Sequence, residues 1–329
     1  MKFPVETTHK IAVFRALQLG DMLCAVPAFR ALRRQYPHAE ITLLGLPWAA
    51  SFTTRFADYI DKFIHFPGYH GLPEQPFDQL LWDEFAERMQ REKFDLVLQM
   101  QGSGGIVNDM LEGLCAGPVA GFHSEGSYRD SGLFIEYPNG ISEIERHLLM
   151  LANLGIQPQG TALEFPLQET EVANLHNIKS PFPGGPYVCV HPGSRGAWRQ
   201  WPTSHFACLA DQCAGLGYTI FVTGTKEEAA ITAEVIDLME FPAVDLTGKT
   251  GLGEMGQLIK NAELLISNCT GVSHIAAAMG TPSIVISMDG EPERWGPLNK
   301  DLHKTIDWTK TQDFTSVLSL LDDLQSPSA

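Results

Sequence analysis

Residues 262–286 constrain the fold of this 329-residue chain more than any other stretch. Two apolar runs, at 262–266 and 283–286, enclose a polar turn, a small-residue segment with three consecutive alanines, a glycine and a proline. That order predicts a strand, a turn, a helix, a helix stop and a second strand parallel to the first. Thr270 and Gly271 stand where the helix begins, so its free N–H groups and positive dipole end would face an anion such as a phosphate.

The rest of the chain repeats this alternation of strands and helices. The alternation predicts an α/β protein with parallel sheets, and the length predicts two domains of roughly 150 residues each. A Pro- and Gly-rich stretch at 158–186 is interpreted as the linker region. Two such domains in tandem would bind ligands in a cleft at the carboxyl ends of both sheets. Helices are predicted at 21–36, around Phe52, and at 79–93, 142–154, 204–216, 227–239, 252–260 and 314–324.

Composition excludes some classes of partner. The net charge of −16 argues against nucleic acid, because a surface that binds phosphates along a strand needs a basic excess. The six cysteines are scattered without a C-x-x-C pair, which is typical of reduced thiols in the cytosol. No apolar run is long enough to cross a bilayer, and the N-terminus lacks the apolar region of a signal peptide. We expect a soluble, cytoplasmic protein; contact with a membrane surface through a local patch stays open.

The first motif covers residues 14–34. Gly20 predicts a tight turn from strand to helix, and Asp21 would open the helix. Asp21 has two interpretations: a helix N-cap, or a carboxylate held at the cleft as a general base. Three arginines follow on the helix and could form a solvated face or steer an anionic acceptor: Arg30, Arg33 and Arg34.

The second motif, residues 191–202, leaves a strand and enters a helix through Trp-Pro. Ser194 and Arg199 offer a hydroxyl and a guanidinium beside a helix N-terminus, a combination that suits a pyrophosphate. An ordinary polar loop is an equal alternative. His274, one turn inside the helix that follows Gly271, is either a structural buried histidine or a group that faces the cleft.

Neither a metal site nor a P-loop is favoured. The sequence has no cluster with zinc spacing and no Asp-x-Asp pair, so a leaving diphosphate would be stabilised by helix N-termini and cations such as Arg199. Residues 243–250 match a relaxed P-loop pattern, but Ala243 replaces the first glycine, and Gly251 and Gly253 weaken the helix that should follow. A P-loop NTPase remains an alternative that the sequence disfavours.

Together, these motifs resemble the glycosyltransferase family 9 heptosyltransferases, which transfer heptose from ADP-heptose to the inner core of lipopolysaccharide. The resemblance covers nearly the whole chain, and its strength lies in the order and spacing of the motifs. They comprise 19–21 with the helix at 27–33, 94–97 with 101–102, 191–195 with Arg199 and 201–202, 246–250, and 268–282 with 295–297.

The resemblance implies a GT-B fold of two Rossmann-like domains that face a cleft. Residues 1–165 would bind the acceptor, residues 166–310 would bind the nucleotide sugar, and the last helix, in 311–329, would pack back on the first domain. It implies an inverting transfer without metal or other cofactor. The implied partners are a nucleotide-diphospho-sugar donor and an anionic glycolipid or glycan acceptor, with peripheral contact at the inner face of the cytoplasmic membrane.

The resemblance also implies roles for single residues. Asp21 matches the catalytic base. The residues that match contacts to the donor diphosphate are Ser194, Arg199, Thr270, Gly271 and His274. Those near the nucleotide or its sugar are Glu227, Leu246, Thr247, Gly248 and Cys269. On the acceptor side are Arg15, Gly20, Gln101 and Gly102.

Two of these positions depart from the family pattern. The family usually has Asp where this chain has Cys269, and Lys where it has Arg199. Replacing a carboxylate by a thiol removes a strong hydrogen-bond acceptor and a charge. A member that binds the nucleotide sugar without turning it over is therefore the main alternative to an active enzyme.

Overall fold

The computed structural model consists of two compact units, Met1–Ala162 and Leu163–Ala329. Each unit is built on a parallel β-sheet with helices, which confirms the predicted α/β class. The sequence placed the domain boundary at 165, three residues after the end of the first unit. The residues that the structure describes are 2–115, 117–127, 132–177 and 185–325.

The first unit contains a six-stranded parallel sheet. Its strands are β1 (Lys10–Phe14), β2 (Glu40–Gly45), β3 (Lys62–His65), β4 (Leu96–Gln99), β5 (Val119–His123) and β6 (Phe134–Glu136). They lie in the order β3-β2-β1-β4-β5-β6, so the order reverses between β1 and β4. Loops that leave the carboxyl ends of the two strands at such a reversal diverge and leave room for a ligand.

Helices connect these strands. They are α1 (Leu19–Cys24), α2 (Val26–Gln35), α3 (Ala49–Arg55), α4 (Gln79–Glu92), α5 (Ile106–Leu114) and α6 (Glu143–Asn153). The single helix predicted at 21–36 is wrong, because α1 ends before Ala25 and α2 follows with Pro27 in its first turn. Proline has no N–H to donate inside a helix and is tolerated at a helix start, which explains the break.

The second unit repeats the same strand topology. Its strands are β7 (Tyr187–His191), β8 (Thr219–Val222), β9 (Ala243–Asp245), β10 (Leu264–Asn268), β11 (Ser283–Ser287) and β12 (His303–Asp307). The parallel order is β12-β11-β10-β7-β8-β9, so this sheet reverses between β7 and β10. The βαβ unit predicted from residues 262–286 is confirmed as β10, a helix and β11.

The helices of the second unit are α7 (Glu169–Asn177), α8 (Thr203–Gly215), α9 (Ala229–Leu238), α10 (Leu252–Lys260), α11 (Gly271–Met279), α12 (Pro292–Trp295) and α13 (Phe314–Gln325). The linker predicted at 158–186 is wrong for the part that forms α7, and residues 178–184 lie outside the described residues. Val317 and Leu321 of α13 pack with Trp201 in the core of the second unit. The packing of residues 311–329 on the first domain stays a prediction.

Candidate active site

Asp21 lies in the first turn of α1, at the carboxyl edge of the first sheet. Helix α1 begins at Leu19, two residues before the predicted start, and Gln18 is its N-cap. The N–H of Gln18 donates to Asp21 Oδ2 at 3.3 Å, as in a capping box. The interpretation of Asp21 as the N-cap is therefore wrong, because Gln18 occupies that position. The Asp21 carboxylate still helps to cap the helix. The side chain keeps 23% exposure, so solvent or a ligand can reach it.

Arg15 follows β1 and is fully buried below this turn. Its Nε donates to the Asp21 carbonyl at 2.9 Å, and its Nη2 lies 4.0 Å from Asp21 Oδ1. Nη1 donates to the Met100 carbonyl, and Nη2 donates to Glu143 Oε1 at 3.3 Å. Arg15, which the resemblance places on the acceptor side, has no exposed surface in this structure and contacts Asp21 and the core.

Helix α6 supplies the rest of this buried cluster. Glu143 accepts hydrogen bonds from both Arg15 and Arg146, so two guanidinium groups face the carboxylates of Glu143 and Asp21. His147 Nε2 lies 2.8 Å from Arg15 Nη1. Burial and the charge of Arg15 lower the pKa of His147 to about 3, so the ring is neutral and accepts this hydrogen bond.

Gln101 and Gly102 extend the same edge from the end of β4. Gln101 is 7% exposed, and its Oε1 accepts the Ala16 N–H at 2.8 Å, which ties the loop after β4 to the loop after β1. Gly102 has a φ of +60°, with open space where a side chain would lie. We call residues 15–21 with 100–102 the β1–β4 edge. Of the predicted acceptor side, Gly20 and Gly102 lie partly exposed on it.

The side chains of Arg30 and Arg33 make contacts within the first unit. Arg30 donates to the carbonyls of Gln159, Gly160 and Ala162, which ties α2 to the end of the first unit. Arg33 binds the Ala39 carbonyl at 2.8 Å and pairs with Asp61. Both arginines therefore hold the fold of the first unit together.

In the second unit, Asn268 organises the carboxyl edge at the strand reversal. It is the last residue of β10 and is fully buried. Its Nδ2 donates to the Pro192 carbonyl at 2.7 Å, and its Oδ1 accepts the Trp201 N–H at 3.0 Å. One side chain thus holds both ends of the loop after β7 against the end of β10. We call residues 191–201 with 268–274 the β7–β10 edge.

The N-terminus of α11 opens at this edge. Thr270 is the N-cap and makes no side-chain cap hydrogen bond; its carbonyl accepts from the Ser273 hydroxyl at 2.7 Å. First-turn N–H groups without a side-chain cap can bind an anion along the helix dipole. The helix is nine residues long and ends at Met279; the next residue, Gly280, has a φ of +70° and gives the predicted glycine stop.

Gly193 lies close to Glu228, a residue that was not among those predicted from the sequence. A Cβ on Gly193 would lie 2.2 Å from the Glu228 carboxylate, so the Glu228 side chain packs directly against this glycine. Glu228 Oε2 lies 3.9 Å from His191 Nε2, and His191 Nδ1 lies 3.0 Å from Thr223 Oγ1. Burial lowers the pKa of His191. Ser194 itself is 8% exposed.

The structure does not bring Glu227 to this loop. Glu227 is exposed on the short 3₁₀ turn before α9, whereas its neighbour Glu228 packs against residues 191–193. The carboxylate beside the loop after β7 is therefore that of Glu228.

Residues 246–248 follow β9 and fold back on the loop after β8. Leu246 is fully buried, and the Gly248 N–H donates to the Gly224 carbonyl at 2.8 Å. The Thr247 N–H donates to Asp245 Oδ1 at 2.8 Å. Lys249 Nζ donates to the Asp245 carbonyl at 2.6 Å. A P-loop lysine would point into a phosphate cradle, so this closed turn contradicts the P-loop alternative.

Arg199 lies near the end of β11, within electrostatic reach of Cys269. Arg199 Nη2 donates to Asp289 Oδ2, and the Arg199 guanidinium lies 5.0 Å from the ring centre of Trp198. Cys269 follows β10 and is 9% exposed. Burial, with the negative charge of Asp289 next, raises the pKa of the Cys269 thiol to about 12, so it is neutral near pH 7.

His274 is 3% exposed inside α11. Burial lowers its pKa to about 4, with a further contribution from His303. A neutral imidazole can donate a hydrogen bond to a phosphate but supplies no positive charge. Within the described ranges, no three His, Cys, Asp or Glu side chains are grouped to hold a metal ion, and no helix is long and apolar enough to cross a membrane.

The residues that hold the two edges in place were not among those predicted from the sequence. Asn268 and Asp289 could have been noticed as polar residues at or just after the ends of apolar strands. Glu143, Arg146 and His147 recur at helical spacing on one face of α6, which is a visible signal of a buried polar face. Their contacts with Arg15 required the structure, because β1 and α6 are about 130 residues apart in sequence.

The sequence matches the model of the family described as glycosyltransferase family 9 (heptosyltransferase) over residues 82–317. It is also 24% identical to lipooligosaccharide heptosyltransferase 2 of Haemophilus ducreyi over 308 residues, which cover 88% of this chain and 86% of that protein. The matched residues include the β7–β10 edge and the residues of α6 that contact Arg15.

Two solved structures are similar along almost their full length. The glycosyl transferase family 9 protein from Veillonella parvula has a TM-score of 0.77 at 19% identity, covering 95% of this chain and 91% of that one. The ADP-heptose lps heptosyltransferase II of E. coli has a TM-score of 0.74 at 19% identity, covering 96% and 98%. At these identities the similarity establishes the fold, and the predicted GT-B class is confirmed.

Proposed function

Because the chain belongs to glycosyltransferase family 9, the heptosyltransferases, we propose that it transfers heptose from ADP-heptose to a lipopolysaccharide core or a related glycan. The similar E. coli protein is described as acting with ADP-heptose, and the H. ducreyi relative as acting on lipooligosaccharide. The chain is a glycosyltransferase; its donor, acceptor and stereochemistry are the content of this proposal.

One observation carries the proposal: the β7–β10 edge has the parts that a nucleotide diphosphate requires. Asn268 fixes the loop after β7 beside the N-terminus of α11. That arrangement offers the first-turn N–H groups at Thr270 and Gly271, the Ser194 hydroxyl and the Arg199 guanidinium from one end of one sheet. Neutral His274 adds a hydrogen-bond donor. Charge that develops on a departing diphosphate is stabilised by such fixed donors.

Glu228 is our candidate for a hydroxyl contact on the nucleoside side, in place of the exposed Glu227. Its carboxylate lies next to Gly193 and His191, at the start of the loop that would hold the diphosphate. A carboxylate accepts two hydrogen bonds from vicinal hydroxyls well. The turn at Leu246, Thr247 and Gly248 lies beside the loop after β8 and would border the base.

Asp21 is the proposed general base. It accepts the proton of the acceptor hydroxyl as that oxygen attacks the anomeric carbon, and the bond from that carbon to the diphosphate breaks. A single displacement of this kind inverts the anomeric centre and needs no protein nucleophile. The partial exposure of Asp21 and its fixed place in the first turn of α1 support this role.

The proposed reaction uses no metal and no cofactor, because Arg199 and the α11 N-terminus supply the positive potential at the leaving group. The proposed place of action is the cytoplasm, with the acceptor presented at the inner face of the cytoplasmic membrane. An anionic glycolipid acceptor would bring the protein to that surface without an anchoring helix.

A donor panel tests the proposal. The melting temperature of the purified protein is measured with ADP-heptose, ADP-glucose, UDP-glucose and GDP-mannose, and release of nucleotide diphosphate is measured with a heptose-deficient lipopolysaccharide acceptor. We expect the largest stabilisation with ADP-heptose and acceptor-dependent release of ADP. A protein that binds ADP-heptose but never releases ADP in the presence of acceptors would support the non-catalytic alternative instead.

A further inference from the structure

Asp289 is a nearly buried carboxylate at the β7–β10 edge that none of the assignments above uses. It follows β11 by two residues, and its side chain is 6% exposed. Oδ2 accepts a hydrogen bond from Arg199 Nη2. Oδ1 accepts the Ser287 hydroxyl at 2.8 Å and the Glu291 N–H at 3.3 Å. Both oxygens are therefore held, and the carboxylate presents a fixed charge to Arg199.

Cys269 lies on the neighbouring strand end. The Cys269 N–H donates to the Ile286 carbonyl at 2.8 Å, in continuation of the β10–β11 pairing. The thiol lies within electrostatic reach of both Asp289 and Arg199. Position 269 thus presents a neutral thiol, and the carboxylate that pairs with Arg199 comes from the end of the next strand.

One nitrogen of the Arg199 guanidinium makes no hydrogen bond to the described residues. The Arg199 Nε is buried and has no hydrogen-bond partner among the described residues, although Nη2 is paired with Asp289. A buried donor without a partner is costly and uncommon, so a ligand oxygen is the expected partner. The guanidinium is a rigid planar fork, and fixing one of its nitrogens fixes the direction of the others.

We propose that Asp289 is a positioning residue that orients Arg199 for the leaving diphosphate. The inference rests on the proposed function and adds to it the residue that fixes the guanidinium. Asp289 acts through Arg199 and does not contact the donor itself.

We therefore expect Cys269→Asp to impair the enzyme when residue 289 is Asp, and to restore its activity when residue 289 is Asn. In the wild type, Cys269→Asp adds a second negative charge that competes with the diphosphate for one guanidinium. When Asp289 is replaced by Asn, the same substitution restores the missing partner of Arg199. Independent structural roles for the two positions would give additive effects.

Four proteins test this: the wild type, Cys269→Asp, Asp289→Asn and the double variant, with ADP-heptose as donor and ADP as the binding probe. Asp289→Asn should lower kcat about tenfold and leave the donor KM and the ADP Kd within about threefold, because the orientation of Arg199 matters most as charge develops. Cys269→Asp alone should weaken ADP binding about tenfold, and the double variant should return kcat to within about threefold of the wild type. Asp301→Asn, an exposed carboxylate of the same unit, is the matched control.

Two outcomes separate this inference from the proposed function. A wild type that neither binds ADP nor turns over a nucleotide sugar would overturn the proposed function and the inference with it. A wild type that does both, with Cys269→Asp acting by the same factor in both backgrounds, would overturn the inference alone. An unchanged kcat in Asp289→Asn would have the same meaning.

Discussion

Arg15 holds Asp21 from below: its Nε donates to the Asp21 carbonyl at 2.9 Å, and its Nη2 lies 4.0 Å from the Asp21 carboxylate. Arg15 has no exposed surface, whereas the Asp21 side chain is partly exposed. The candidate base therefore lies at the surface end of a buried ionic cluster. Arg15 joins it to the members of that cluster that come from α6. Damage to that cluster should affect both stability and catalysis.

Glu143→Gln should destabilise the protein strongly. Glu143 is 2% exposed and binds both Arg15 and Arg146, so the substitution leaves buried positive charge without its partner. Breaking a buried pair in this way costs about 3–5 kcal/mol. Urea unfolding should show a free energy of unfolding lower by about 3 kcal/mol or more. Glu136→Gln, an exposed control in the same unit, should stay within about 0.5 kcal/mol of the wild type; equal stability of both variants would contradict the ionic cluster.

His147 should make the protein less stable in acid. Its pKa is lowered to about 3 in the folded state, below the ordinary value of 6.5, so between these values the unfolded chain binds the proton and the folded protein does not. The stabilisation is complete above about pH 6.5 and is lost as the pH falls towards 3, by up to about 1.4 kcal/mol per pH unit. Unfolding of the wild type and His147→Gln is compared at pH 7 and pH 5.5. Between pH 7 and pH 5.5, the free energy of unfolding should fall by about 1 kcal/mol less in the variant than in the wild type. An equal fall in both proteins would contradict the lowered pKa of His147.

Much of the fold could be predicted from the sequence because local signals and the tertiary structure agree. The helix at 252–260 has the predicted bounds, and Gly280 stops α11 as expected. The short strands β6 and β12 and the helices α5, α7 and α12 were missed. β6 has three residues and α7 lies in a polar, Pro-rich stretch, so neither has a periodicity that distinguishes it from a loop.

The candidate site was predictable in its motifs and less so in its contacts. The helix start at Thr270 and the carboxylate of Asp21 could be placed at strand ends from spacing alone. The burial of Arg15 could not be predicted, because it depends on side chains that are far apart in sequence. The placement of Glu228 instead of Glu227 beside the loop after β7 depends on which way each side chain points from one short turn. The pairing of Arg199 with Asp289, 90 residues later, has no local signal.

Asn268→Ala should loosen the β7–β10 edge. The substitution leaves the Trp201 N–H and the Pro192 carbonyl without their partner in a buried place. An unsatisfied buried group costs about 1–3 kcal/mol, so we expect a stability loss of about 2 kcal/mol and at least tenfold weaker ADP binding. Calorimetric titration with ADP measures the second effect. The exposed Asn261→Ala should match the wild type in both; tight ADP binding by Asn268→Ala would show that the loop is held in another way.

Chelation should leave turnover unchanged. The described residues contain no grouped metal ligands, and the proposed leaving-group stabilisation comes from Arg199 and the α11 N-terminus. ADP release is followed with and without EDTA, after dialysis against the chelator. Loss of activity that magnesium or manganese restores would overturn the metal-free mechanism.

Asp21→Asn tests the central claim most directly. Heptose transfer is measured by mass spectrometry of the glycolipid acceptor after incubation with ADP-heptose, with ADP affinity and melting temperature measured on the same samples. We predict that the wild type adds one heptose per acceptor, and that Asp21→Asn lowers turnover by at least about 10²-fold, the scale of losing a general base, while ADP affinity stays nearly intact. A variant that transfers heptose at the wild-type rate, or that loses activity only because it unfolds, would contradict the role of Asp21 as the base.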